Sequence, residues 1–292
     1  MEGRIVKGIA GFYYVKAMDG NLYECKARGI FRKDQTKPMV GDYVDIEIVS
    51  MEDRTGNVCR LGDRKNELLR PAVSNVDQAL VIFAVKSPDP NYNLLDRFLI
   101  MTNSREVPVV ICLNKADLIS DQDRQEIAAI YKDSGCDFLF TSTKTGEGMA
   151  LLKEKLYAKT TTVAGPSGVG KSSIVNSLLG DSYMETGILS EKIERGKNTT
   201  RHAELVSIAE ETYIMDTPGF TSLELRGIER EQLRLYYPEL AECEGMCRFD
   251  GCSHTHEPDC LVKKYVSEGK IHPLRYENYC QLYGELGRIR RY

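Results

Sequence analysis

The chain has 292 residues, enough for about two domains and for a core that needs no disulfide staples. Its 39 Lys and Arg against 43 Asp and Glu give a net charge of −4. With 42% hydrophobic and 28% charged residues, this excludes uniform disorder and an overall basic protein. No apolar run reaches the ~18 residues of a membrane span, and the opening Met1-Glu2-Gly3-Arg4 has no signal-peptide shape. A cytoplasmic monomer without membrane contact is the expectation.

Residues 1–68 read as all-β. Ile5–Val6, Phe12–Val15, Leu22–Cys25 and Val44–Ile48 are short apolar or alternating runs separated by turn formers such as Asp19-Gly20-Asn21 and Gly41-Asp42. Several short strands in so small a span suit a barrel, with an oligonucleotide-binding (OB) fold ahead of an SH3-like one. From Asn75 the rhythm becomes strand, helix, strand. Ala79–Val85, Pro108–Leu113, Asp137–Thr141 and Thr160–Ala164 are buried-strand runs. Between them lie helical stretches at Leu94–Ser104, Asp121–Asp133 and Gly148–Lys159. That alternation predicts a mostly parallel α/β sheet. His202–Ile208 and Thr212–Met215 read as an added hairpin. After Gly227 the sequence is polar, helical and rich in cysteine. The predicted domains are 1–68, 69–225 and 226–292; residues 1–68 and 261–292 are mildly basic, with net charges of +1 and +4, and 69–260 are acidic at −9.

Gly165-Pro166-Ser167-Gly168-Val169-Gly170-Lys171-Ser172, followed by Ser173, fits the phosphate-binding loop G-x-x-x-x-G-K-[ST] between a strand and a helix. Its glycines let backbone N–H groups face a phosphate, Lys171 can reach the outer phosphates, and Ser172 can ligate Mg²⁺. Asn114-Lys115-Ala116-Asp117 follows a strand, and the Asp117 carboxylate can accept from the N1–H and amine of guanine, which adenine cannot offer. Thr141-Ser142-Thr143-Lys144, after the next strand, suits support of the guanine O6. Asp216-Thr217-Pro218-Gly219 matches D-x-x-G, in which Asp216 holds Mg²⁺ through water and Gly219 senses the γ-phosphate. Thr199 or Thr200 completes the Mg²⁺ shell, with Thr200 favoured. GTP or GDP is the expected ligand.

The order of these parts is unusual. N-K-x-D and its supporting loop precede the phosphate loop, whereas an ordinary GTPase has them after it. The same parts in rotated order imply a circular permutation, with the old termini joined between Lys159 and Thr160.

Cys247-x4-Cys252-x-His254-x5-Cys260 supplies three thiols and an imidazole, the donor set of a closed structural zinc site. Cys243 and His256 remain possible substitutes. So polar a segment offers little core to hide cysteines, and it is expected to be disordered without its metal. Nine cysteines, an odd number, argue against a disulfide framework. Arg28, Arg32, Lys33 and Lys37 cluster with Phe31, and Arg288–Tyr292 forms a basic tail; both suit nucleic acid.

The combination of small barrel, permuted GTPase motifs and Cys₃His segment resembles the bacterial RsgA/YjeQ family of small-subunit-dependent GTPases over nearly the whole chain. The resemblance implies a circularly permuted P-loop GTPase domain of α/β class, an N-terminal OB-fold barrel and a C-terminal helical zinc-binding domain. It also implies GTP hydrolysis stimulated by the 30S ribosomal subunit, binding to 16S rRNA, and a role in late subunit maturation. The family often carries His before the paired threonines, where this chain has Asn198; His202 is a candidate replacement. Two other readings stay open. One is an RNA-binding module with GTP as a structural ligand, and the other is a signalling GTPase acting on proteins.

Overall fold

The computed structural model describes residues 1–29, 31, 36–69, 72–180, 204–216, 225 and 227–288. The described residues form two compact units, one drawn from 1–80, 150–164 and 171–220, the other from 81–149, 165–170 and 221–292.

In the first unit, β1 (Glu2–Ile9), β2 (Phe12–Ala17), β3 (Leu22–Ala27), β4 (Tyr43–Ser50) and β5 (Thr55–Leu61) close a barrel in the order β1-β2-β3-β5-β4. β1 pairs antiparallel with both β2 and β4, and β3 runs parallel to β5. This is an OB-like barrel. Ile5, Val15, Tyr23, Cys25, Val44, Ile46 and Val58 fill it. β5 is the strand the sequence pattern does not announce, because an inward position is Gly56. A Cβ there would lie 2.9 Å from the Glu47 carbonyl oxygen and 3.3 Å from the Cys25 sulfur, so only glycine fits and the apolar alternation is interrupted. A short hairpin of β6 (Glu67–Leu69) and β7 (Ala72–Ser74) follows the barrel.

Strand β8 (Gln78–Ala84) leads into the α/β part. Within the first unit, β11 (Thr160–Ala164) runs parallel to β13 (Thr212–Asp216), and β12 (Leu205–Ala209) pairs antiparallel with β13 as the expected hairpin. Helix α4 (Lys171–Leu179) buries Ile174, Val175, Leu178 and Leu179.

In the second unit, β9 (Val109–Asn114) pairs parallel with β10 (Asp137–Phe140). β8 and β9 are buried at every position, which is why they read as unbroken apolar runs rather than alternating ones. Helix α1 (Tyr92–Asn103) is capped by the Asn91 side chain accepting from Leu94 N–H. Helix α2 (Asp121–Tyr131) starts at a Ser120/Asp123 capping box, and α3 (Met149–Leu156) follows.

The C-terminal part comprises a 3₁₀ segment Arg230–Tyr236, α5 (Pro238–Ala241), α6 (Leu261–Ser267) and α7 (Pro273–Leu286). Here the structure corrects the sequence reading. Leu233, Tyr237, Leu240, Val262, Ile271, Tyr279 and Leu282 form a core with Cys243, Cys252 and Cys260, joined by Ile100 of α1. The segment looked polar because its core is spread over tyrosines, cysteines and single aliphatics, with buried Arg275 among them. Among the described residues, no helix is long and apolar enough to cross a membrane.

Candidate functional site

β11 ends at Ala164, the chain turns through Gly165–Gly170, and α4 begins at Lys171. Gly165, Gly168 and Gly170 have φ of +141°, +80° and +92°. A Cβ at Gly165 would sit 2.1 Å from the Ile82 carbonyl oxygen, and one at Gly170 2.3 Å from Asn114 Nδ2. Both positions therefore exclude a side chain for space as well as for backbone conformation. Val169 is buried, Pro166 half-buried, and Ser167 is exposed at the tip. Lys171, half-buried, and Ser172 and Ser173, exposed, occupy the first turn of α4, where the helix end favours an anion.

Asn114 is the last residue of β9 and is buried. Its Nδ2 donates to the Val169 carbonyl at 2.9 Å, and its Oδ1 accepts from Thr141 Oγ1 at 3.3 Å. Lys115 takes the left-handed conformation (φ +65°), and its ammonium donates to the carbonyls of Gly168, at 2.9 Å, and Ser87. The first two residues of N-K-x-D thus hold the phosphate loop. Ala116 is buried, and its N–H donates to Thr141 O at 3.0 Å.

Asp117 turns the other way. Its Oδ1 accepts from Ser142 Oγ at 2.7 Å, and Lys144 Nζ lies 3.8 Å from Oδ2. The Ser142 hydrogen bond, more than the Lys144 charge, holds this carboxyl below the ordinary Asp range, so it is an ionised acceptor. Thr143 is half-buried beside it and Lys144 exposed. Asp216 closes β13 with its backbone paired to Val163. Its side chain, together with Asn198, Thr199, Thr200, His202, Gly219 and Phe220, lies outside the described residues.

In the C-terminal part, one donor atom each from Cys247, Cys252, His254 and Cys260 lies within 4.8 Å of the others. His254 Nδ1 is 3.5 Å from Cys247 Sγ and 3.4 Å from Cys260 Sγ. A tetrahedral zinc with Zn–S about 2.3 Å and Zn–N about 2.0–2.1 Å has S···N edges of about 3.5 Å. The cluster fits and could hold a metal ion through Nδ1. Burial pushes the Cys252 thiol up to about 12 and the His254 imidazolium down, so the ring is neutral. A cation would have to supply the charge that ionises such thiols. His256 is exposed, and Cys243 is buried outside the four-residue cluster.

The residues that shape this loop were missed in the sequence. Glu257 accepts from Ser253 N–H at 2.8 Å, Ser253 Oγ at 2.7 Å, and the N–H groups of Thr255 and His256 at 3.1 Å. Burial works against the charged form, but these hydrogen bonds outweigh it and bring the Glu257 pKa to about 2. Tyr276 and Tyr279, one turn apart on α7, donate to the carbonyls of His254 at 2.7 Å and Ser253 at 2.6 Å. They hold His254 in its left-handed conformation, φ +60°. No spacing rule points to these tyrosines; only the fold brings them here.

Of the basic cluster, Arg28 pairs with Glu47 and Lys37 is exposed, while Arg32 and Lys33 lie outside the described residues, as do 289–292. A cavity of about 620 Å³ lies instead in the first unit, lined by Arg4, Tyr43 and Tyr213 among others. Its three basic and three acidic residues (Arg4, Lys16, Arg60; Glu2, Asp45, Glu211) give it no selective charge.

A parallel α/β sheet whose phosphate loop is strapped by an N-K-x-D motif lying earlier in the chain defines a circularly permuted P-loop GTPase. The model of the RsgA GTPase family matches residues 61–226, and that of the RsgA N-terminal domain matches residues 2–56. The chain belongs to the RsgA GTPase family and is a GTP hydrolase. It is 58% identical over 302 residues to the small ribosomal subunit biogenesis GTPase RsgA of Agathobacter rectalis, covering 100% of each chain. Its identity to the protein of that name from Clostridium perfringens strain 13 is 46%, with 98% of each covered. Among solved structures, YjeQ from Thermotoga maritima aligns with a TM-score of 0.84 at 36% identity, covering 99% of each chain. YloQ, described as a circularly permuted GTPase, aligns at 0.80 and 37%, covering all of this chain and 96% of that one.

Proposed function

We propose that this GTPase acts in late maturation of the small ribosomal subunit, binding 16S rRNA and hydrolysing GTP faster when docked on the 30S particle. The observation that carries the nucleotide half is the strap itself. Asn114 and Lys115 donate to Val169 and Gly168, so the base-reading segment and the phosphate loop are held as one nucleotide cradle despite their rotated order. The ribosomal half is supported by relatives named small ribosomal subunit biogenesis GTPase, which match 98–100% of this chain.

In this reading Asp117 takes both guanine hydrogen bonds and Ser142, Thr143 and Lys144 flank the base. Gly165–Gly170 wrap the phosphates, Lys171 neutralises the outer ones, and Ser172 with Ser173 closes the loop. Ser172, Asp216 and Thr200 would hold Mg²⁺, which supplies charge neutralisation at the phosphates when bound. Gly219 reports the γ-phosphate through its N–H. Cys247, Cys252, His254 and Cys260 hold one structural zinc. Function divides over residues 1–68 for RNA, 69–225 for nucleotide and 226–292 for subunit docking. Co-sedimentation with 30S subunits tests it. More protein should pellet with a non-hydrolysable GTP analogue than with GDP, and equal pelleting would refute nucleotide-controlled docking.

A further inference from the structure

One side chain outside both base-reading segments ties them together. Arg124 lies in the first turn of α2, whose start is fixed by the Ser120/Asp123 capping box. Its Nη2 donates to the Ala116 carbonyl at 3.0 Å and to Glu147 Oε2 at 3.1 Å, while Nη1 donates to Glu147 Oε1. The guanidinium carbon stands 5.6 Å from the centre of the Phe140 ring. Glu147 in turn accepts, at its backbone carbonyl, the N–H of Ser142 at 3.0 Å. Ser142 Oγ donates to Asp117, and Ala116 N–H to Thr141 O, so the circuit closes.

We infer that Arg124, with Glu147, is a positioning residue for guanine recognition. The pair clasps the segment carrying Asp117 to the segment carrying Ser142, at the separation where one carboxylate can take two hydrogen bonds from the base. The inference rests on Asp117 being the base acceptor, as proposed above. Arg124 donates from Nη1 and Nη2 to Ala116 and Glu147 and leaves the base to Asp117. Its loss therefore weakens ground state and transition state together and appears in KM rather than kcat. Gly148 reinforces the geometry: its φ is +71°, and a Cβ there would lie 2.0 Å from the Phe140 carbonyl oxygen. The turn after Glu147 thus has a single permitted course.

The test compares Arg124→Ala, Arg124→Lys, Glu147→Gln and Asp117→Asn in the full chain. KM and kcat are measured with GTP and with inosine triphosphate, which lacks the 2-amino group. Arg124→Ala should raise KM for GTP about tenfold, the lower range for hydrogen bonds to a charged group, with kcat changed less than twofold. Its preference for GTP over inosine triphosphate should narrow, because a loosened Asp117 loses the second hydrogen bond first. Arg124→Lys, with a single donor point, should recover part of KM. Glu147→Gln keeps shape and should move in the same direction, which guards against a misfolded Arg124→Ala. If Asp117→Asn loses guanine preference while the Arg124 and Glu147 variants keep wild-type KM and preference, the clasp is wrong and the base reading stands. If Asp117→Asn also keeps its preference, the base reading falls and takes this inference with it.

Discussion

Arg275 on α7 and Asp96 on α1, 179 positions apart, form an ion pair whose side chains are 2% and 0% exposed. Glu239 accepts from Arg275 Nε at 2.7 Å, and Asn278 and Tyr131 donate to Asp96 at 2.8 and 3.1 Å. Tyr237 lies under the guanidinium, 4.5 Å from its carbon. Burial alone would lower the Arg275 pKa; Asp96 and Glu239 outweigh it and keep the group charged. Helix α7, which carries the two tyrosines behind the cluster of Cys247, Cys252, His254 and Cys260, is thereby locked to α1 of the GTPase part.

Arg275→Met should destabilise the protein by about 3–5 kcal/mol, because it leaves Asp96 and Glu239 buried without their cation. Adding Asp96→Asn and Glu239→Gln should recover part of that loss. Urea denaturation checks both, and a loss below about 1 kcal/mol in the single variant would contradict the assigned role.

Asp117→Asn keeps one acceptor and replaces the other carboxylate oxygen with a donor. Nucleotide preference should shift from guanine toward xanthine, whose 2-oxo group accepts that donor. Competition binding with GTP and xanthosine triphosphate measures it. Equal GTP affinity in wild type and variant would remove Asp117 from the base site.

Chelation should loosen the ligand loop without unfolding the module. Leu233, Tyr237, Val262, Tyr279 and Leu282 give the module buried apolar packing beyond the ligand cysteines. Amide exchange should therefore rise across 247–260 and stay low in α7. Loss of protection throughout 261–286 would instead restore the sequence-based expectation of a wholly metal-dependent segment.

Glu257 makes stability depend on acid in a defined window. Its pKa falls from the ordinary 4.5 to about 2 in the folded chain. A carboxyl shifted down stabilises fully above its unfolded value, and its contribution is lost as pH falls through the folded one. The stability difference between wild type and Glu257→Gln should be constant above pH 4.5 and shrink from there to about 2. Urea midpoints of both proteins at neutral and acid pH measure it; a difference that does not change through the window would contradict the assignment.

The nucleotide motifs were legible because their chemistry is local: glycines where φ is positive, a lysine and hydroxyls at a helix start, a carboxylate after a strand. Their rotated order was legible for the same reason. β5 was not, since Gly56 removes the apolar signal where the barrel is tightest. The C-terminal core was misread because hydrophobic pattern alone does not show that Arg275 is buried against Asp96, or that tyrosines form the packing. Arg124, Glu147, Glu257, Tyr276 and Tyr279 act through contacts made by folding, and no short spacing marks them.

The central claim, that GTP turnover is coupled to the small subunit, is tested most directly by hydrolysis rates with 30S subunits, naked rRNA and buffer. The residue after D-x-x-G is Phe220, which cannot hydrogen-bond an attacking water as a glutamine there does. Turnover alone should be slow, and 30S subunits should raise it on the order of a hundredfold, the worth of one well-placed donor. A rate equal in all three conditions would contradict the account.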